Sequence, residues 1–168
     1  GYSVQTSFSE LEYSLKKKQT RRDRFLAEIE AVTPWAVLEK AVAPFYPSRG
    51  GRGRPPIGLT RMLRMYVAQQ CFGLSDEGIE DALYDSQAIR HFVGIDLGRE
   101  SAPDATTLLN FRHLLEQHQL TESIFNAIIK FPTVSYPAST RMLNTCSLRP
   151  TFSSGMPKAA TGTSGWAT

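Results

Sequence analysis

Leu74–Glu116, LSDEGIEDALYDSQAIRHFVGIDLGRESAPDATTLLNFRHLLE, reads as three short helices joined by tight connections. Gly73, just before it, can take the left-handed conformation that closes a preceding helix, and the Ser75 hydroxyl can accept from the free amides that open the next. Ile79, Ala82 and Leu83 then share one face. A second helix is expected from about Ser86 to Val93, with Ile89, Phe92 and Val93 inward and Gly94 as its stop. Pro103-Asp104 restarts the chain, and the Asp104 carboxylate suits the cap of a helix from Ala105 through His118. Leu108, Phe111, Leu114 and Leu115 repeat there at three and four residues. Thr106, Thr107, Asn110, Arg112 and His113 are expected to face outward. Small capped helices of this kind predict a helix-turn-helix-like unit whose last helix offers those five side chains to base edges.

Outward from this stretch, composition sets the frame. A chain of 168 residues with 41% apolar content suits one domain with a real core. No long uncharged apolar run is visible, so a soluble, intracellular protein is expected. Cys71 and Cys146 are too few and too poorly spaced for a disulfide framework or a zinc site, and Cys71 suits a small buried hydrophobe. Net charge is only +3 but unevenly laid out. Lys16, Lys17, Lys18, Arg21, Arg22 and Arg24 crowd one segment, relieved only by Asp23. Arg49, Arg52, Arg54, Arg61 and Arg64 form a second basic block without a carboxylate between Glu39 and Asp76. From Asp76 to Asp104, eight acidic residues stand against Arg90 and Arg99. Segregation on this scale predicts one polyanion-facing side and an opposite side that avoids phosphate.

Three regions follow: a partly ordered basic arm over 1–19, an all-α, compact multi-helix domain over 20–130, and an irregular or disordered tail over 131–168. From Thr20 a helix is expected, with Phe25, Leu26, Ile29 and Val32 at helical spacing. Basic residues at its entrance oppose the helix dipole, a penalty that a phosphate partner or tertiary packing would equally relieve. Thr33-Pro34 looks like a capping hydroxyl followed by a proline at the first helical position, and Pro44 ends the helix that follows. Residues 45–56, FYPSRGGRGRPP, are a loop by every punctuation rule; their arginines can track a phosphate backbone or enter a minor groove. No strand precedes them and no Gly-Lys-Ser/Thr follows, so they are not a phosphate-cradling P-loop. The apolar run from Ile57 to Phe72 predicts a core helix bearing Leu59, Met62, Leu63, Tyr66, Val67 and Phe72. Thr121 is expected to cap a last helix with Ile124, Phe125, Ile128 and Ile129. From Pro132 on, twenty of thirty-seven residues are Ser, Thr, Pro or Gly, and no periodicity survives.

Catalytic chemistry finds little support. The last carboxylate is Glu122, so the tail offers no ligand for a hard cation. His91, His113 and His118 are the only histidines, and the step of five from His113 to His118 misses the i, i+4 spacing of helical metal ligands. No Gly-x-Ser-x-Gly nucleophile motif is present. No catalytic residue, metal or cofactor is therefore expected.

The segments KKKQTRRDRFLAEIE, TPW, PFYP, GRGRPP, MLRMYVAQQCFGLSDEGIEDALYD, HFVGIDL and PDATTLLNFRHLLEQHQL resemble, in order and spacing, the amino-terminal region of bacterial insertion-sequence-five-group (InsH-like) transposases. The likeness runs from about Ser7 to Lys130. It implies an all-helical domain that binds the inverted-repeat ends of the element, in a bacterial cytoplasm and associated with the nucleoid. Full-length members continue into a ribonuclease-H-like domain with three carboxylates and two magnesium ions; this chain departs from the pattern at about Phe131. Asp104 in Pro-Asp-Ala-Thr-Thr resembles the catalytic Asp-Ala-Thr motif, yet it precedes a helix and its capping role accounts for it. The acid-free tail is what a frameshift before the catalytic domain would produce, leaving a chain inactive alone. The expected phosphate contacts are Lys16, Lys17, Lys18, Arg21, Arg22, Arg49, Arg52 and Arg54, on double-stranded DNA. The alternatives are a protein-interaction module that pairs with itself or with full-length transposase, or a non-functional relic.

Overall fold

The computed structural model describes residues 8–47 and 56–130. Among them are eight α-helices, one 3-10 turn and no strand: α1 (Phe8–Ser14), α2 (Arg21–Val32), α3 (Trp35–Val42), α4 (Leu59–Phe72), α5 (Asp76–Asp85), α6 (Gln87–Val93), α7 (Ala105–Gln117) and α8 (Leu120–Lys130). The all-α expectation holds. The tail from 131 and the glycine- and arginine-rich stretch 48–55 lie outside the described residues.

The fold is organised around α4. Met62, Leu63, Met65, Val67 and Ala68 are all but fully buried, and Tyr66, Gln69 and Gln70 are buried as well. A helix covered on almost every side needs neighbours around it. Here α3, α5, α6 and α7 pack directly on α4, while α2 lies on α6 and α8 lies on α3 and α7. Leu26, Leu38, Ile79, Leu83, Ile89, Leu108, Leu115 and Ile124 complete one continuous core.

The helix ends follow local chemistry. Gly73 closes α4 at φ 61°, and the Leu74 amide donates to the Gln69 carbonyl at 3.0 Å. Gly94 closes α6 at φ 83°, with the Ile95 amide donating to Arg90 at 3.0 Å. Both are left-handed stops that a side chain would strain. Ser75 and Asp104 cap α5 and α7 through the amides of Gly78 and Thr107. Ser86 serves two helices: its amide closes α5 on the Ala82 carbonyl at 2.8 Å, and its hydroxyl opens α6 on the Ile89 amide at 3.3 Å.

Four details differ from the sequence reading. Residues Phe8–Ser14, inside the expected arm, form α1. The Thr33 hydroxyl does not cap α3 but donates back to the Ile29 carbonyl at 2.6 Å, satisfying the end of α2. Pro34 takes the cap position without a side-chain bond. Pro44 sits within a 3-10 turn, Ala43–Phe45, that extends α3 by a few residues. Thr121 lies inside α8, which begins one residue earlier, after Gln119 turns the chain at φ 55°. Its hydroxyl is spent on the buried Tyr66 phenol.

Candidate nucleic-acid interface

The basic segment before α2 is held by one carboxylate. Asp23, at the third position of α2, is buried. It accepts from the Thr20 amide at 2.7 Å, the Thr20 hydroxyl at 2.7 Å, Lys16 Nζ at 2.8 Å and the Tyr13 hydroxyl at 2.9 Å. Thr20 and Asp23 together form a capping box. Burial alone would raise the Asp23 pKa, but the bonds from Lys16, Thr20 and Tyr13 outweigh it and hold the carboxyl well below the ordinary carboxylate range. The Tyr13 phenol is pushed up to about 12, first by burial and then by its bond to Asp23 and the charge there. An internal carboxylate thus relieves the dipole penalty at α2, the second of the two alternatives the sequence left open.

The cations around this segment divide into two sets. Lys17, Lys18, Arg21 and Arg24 are exposed, and none makes an ion pair with another described residue. Lys16 is turned to Asp23, and the exposed Arg22 lays its guanidinium 5.4 Å from the Phe72 ring centroid. In the second basic block, Arg61 pairs with Glu100. Arg64 is consumed more fully. It pairs with Glu30, donates to the Phe92 carbonyl at 3.0 Å, and lies 4.4 Å from the Trp35 ring and 5.5 Å from the Phe92 ring. Arg61 and Arg64 therefore join elements together, and among the described residues of the two blocks it is the first that leaves several cations open to solvent. Arg49, Arg52 and Arg54 lie outside the described residues.

The helix expected to read bases, α7, is clamped from α5. The Ala105 amide donates to Glu80 Oε2 at 2.8 Å, and Arg112 pairs with Asp76 at 3.0 Å. Asp76 also accepts from the buried Gln69 amide at 2.7 Å, and Gln70 contacts Gln69 in turn at 3.5 Å. This polar chain ties α4, α5 and α7 at one point. Arg112 is accordingly directed to Asp76 rather than outward, with its Nε buried and without a hydrogen-bond partner among the described residues. Thr107 is half-buried beside the cap. Thr106, Asn110 and His113 are exposed and, at steps of four and three, share one stripe of α7.

The acidic run of α5 is split by the same geometry. Asp76 and Glu80, four residues apart, face α7, whereas Glu77, Asp81 and Asp85 are exposed on another face. The sequence showed the charges but not this division, and Gln69–Gln70 within an apolar helix was the signal that a polar partner had to lie inside.

The residues flanking the 48–55 stretch are joined to one another and to α7. The Tyr46 hydroxyl donates to the Ile57 carbonyl, and the Tyr46 ring packs edge-on against Phe111 with centroids 5.9 Å apart. Phe45 stacks on His118, at the end of α7, at 4.0 Å. These aromatic contacts went unread in the sequence, where residues 45–56 were read as a loop. The Lys17–Arg24 cluster belongs instead to α2, whose packing partner is α6.

No group of three or more His, Cys, Asp or Glu side chains among the described residues is arranged to hold a metal ion. No helix among them is long and apolar enough to cross a membrane. A family model described as Transposase domain (DUF772) matches residues 13–114. No solved structure matches the chain.

Proposed function

Because the chain belongs to the transposase-domain family just described, we propose that it is a DNA-binding domain of the insertion-sequence-five-group type, recognising the inverted-repeat ends of an insertion sequence during DNA transposition. The observation that carries this reading is the open set Lys17, Lys18, Arg21 and Arg24, gathered at the entrance of α2 while the cations of α4 are neutralised internally. Four cations on one short segment, without an ion-pair partner among the described residues, are a footprint for phosphate. Arg49, Arg52 and Arg54 would extend it from a stretch whose flanking residues, Phe45 and Tyr46, pack on α7.

In this reading α7 supplies specificity through Thr106, Asn110 and His113. Asparagine can bond adenine in a bidentate manner, and threonine and histidine can bond either edge of a pair. Arg112 and Thr107 act behind them by fixing the helix, and Lys16 acts by fixing the basic segment. Glu80 and Asp104 at the start of α7 repel phosphate, so Asn110 and His113 in the middle of the helix approach DNA more closely than Thr106 in its first turn.

Fluorescence anisotropy with a duplex carrying an inverted repeat of a related element, against a scrambled duplex at two salt concentrations, tests this. The expected result is tighter binding to the repeat, weakening steeply with salt. Replacing Thr106, Asn110 and His113 by alanine should erase the preference while leaving weak, sequence-independent binding. Equal, salt-insensitive affinity for both duplexes would refute the proposal.

A further inference from the structure

The two oxygens of the Asp23 carboxylate hold different parts of the chain. Oδ2 closes a loop: it accepts from Lys16 Nζ at 2.8 Å and, four residues on, from the Thr20 amide and hydroxyl, both at 2.7 Å. Lys17 and Lys18, exposed and without an ion-pair partner among the described residues, sit on the span between those two anchors. Oδ1 accepts from the Tyr13 hydroxyl at 2.9 Å, and the Tyr13 ring is itself held, stacked on His91 of α6 with centroids 4.2 Å apart. Tyr13 is also the side chain through which α1 packs against the core, Phe8, Leu11 and Leu15 being exposed. The terminal torsion of an aspartate is broad, so the carboxylate turns unless a partner holds it. Asp23 is buried, where water does not replace a lost partner, and the direction in which Oδ2 faces Lys16 and Thr20 is set by what grips Oδ1.

Resting on the reading of Lys17 to Arg24 as a phosphate footprint, we propose that Tyr13 is a positioning residue for DNA. It touches no phosphate; through Asp23 it holds the 16–20 loop in a single shape that sets the Lys17 and Lys18 ammoniums before the phosphodiester backbone. A loop already ordered when the duplex arrives loses less conformational freedom on binding than one the duplex must order. His91 serves the same end one step further back, by fixing the ring that carries the hydroxyl. The coupling runs in both directions: whatever Tyr13 contributes to phosphate binding, bound phosphate returns to the docking of α1. A short helix that buries little apolar surface thereby acts on DNA binding from behind the basic loop.

Tyr13→Phe is the test, because it removes the hydroxyl, keeps a ring against His91 and alters no cation. Anisotropy of the full chain with a duplex of arbitrary sequence should show affinity lower by about fivefold or more in Tyr13→Phe. The logarithmic salt slope should stay unchanged, whereas Lys17→Ala should lower it by about 0.9. Amide exchange supplies the reverse reading. The Leu15 and Lys16 amides, which donate to the Leu11 and Tyr13 carbonyls at 3.0 and 3.3 Å, should gain protection when the same duplex is added to the wild-type chain, and gain less in Tyr13→Phe. Equal affinity in a folded Tyr13→Phe chain, a changed slope, or amides indifferent to the duplex would overturn the proposal and leave DNA binding standing. A wild-type chain that binds no duplex would overturn both.

Discussion

Replacing Asp23 by alanine should be among the most damaging single changes outside the apolar core. The carboxylate accepts four hydrogen bonds, from Tyr13, Lys16 and both the amide and the hydroxyl of Thr20. Losing the capping interaction at α2 costs about 1 kcal/mol. Bonds to a buried ionised group contribute more each, but Lys16 is partly exposed and can rehydrate, as can the Thr20 hydroxyl. A net loss of about 3 kcal/mol is the reasonable sum. With a urea slope of roughly 1.5–2 kcal/mol per molar, the unfolding midpoint should fall by about 1.5–2 M with the slope unchanged. Asp23→Asn keeps an acceptor for the Thr20 amide and should lose roughly half as much. Amide hydrogen exchange would separate local from global loss: residues 8–15 should lose protection in Asp23→Ala under conditions where α4 stays protected. A loss below about 0.5 kcal/mol, or α1 amides as protected as before, would refute the view that this carboxylate joins α1 to α2.

Stability should also depend on pH at both extremes. The Asp23 pKa is depressed in the folded chain, so its contribution is complete above the unfolded value of about 3.9 and is lost as pH falls below that toward the folded value. The Tyr13 pKa is raised from 10.0 to about 12, so its contribution is complete below 10.0 and is lost between 10.0 and about 12; Tyr13→Phe should remove that alkaline step in a denaturant titration. Asp76→Ala should cost about 3 kcal/mol by thermal or urea unfolding, because it strands the buried Gln69 amide and the Arg112 guanidinium together. In DNA titrations, Lys17→Ala, Lys18→Ala and Arg21→Ala combined should reduce the logarithmic salt slope by about 2.7, at ~0.9 for each phosphate contact removed, with little change in stability. Gln119→Gly should stabilise the chain by about 0.5–1 kcal/mol, since the residue holds φ 55° without the freedom of glycine.

What the sequence made legible was mostly local. The stops at Gly73 and Gly94 and the caps Ser75 and Asp104 depend on a residue and its next few neighbours, and each stands where the chain predicted it. The buried face of α4 was equally plain from its spacing. Thr33 and Thr121 show the limit of such reasoning, because a hydroxyl near a helix start has competing partners and the winner is set by what packs alongside. Long-range pairing was harder still. Nothing local says that Arg64 lies between Trp35 and Phe92, or that Arg112 turns to Asp76, so the count of basic residues overstated the cations open to a phosphate. The division of α5 into an inward pair and an outward trio was within reach of helical periodicity. It needed only the question of what a buried Gln69 would bond to.

The single residue between α5 and α6 has a consequence for how this chain can vary. Ser86 ends one helix with its amide and begins the next with its hydroxyl, and it is itself buried. The two helices therefore form a fixed elbow with no slack. An inserted residue there would uncouple both caps at once and rotate everything after it by about 100° relative to the core, turning Ile89 and Phe92 toward water. Lengthening the turn at 97–101, whose residues are mostly exposed, would displace nothing comparable. Length variants among natural relatives should accordingly cluster in that turn and spare the elbow, so the joint can serve as a fixed landmark for aligning sequences too distant to match elsewhere.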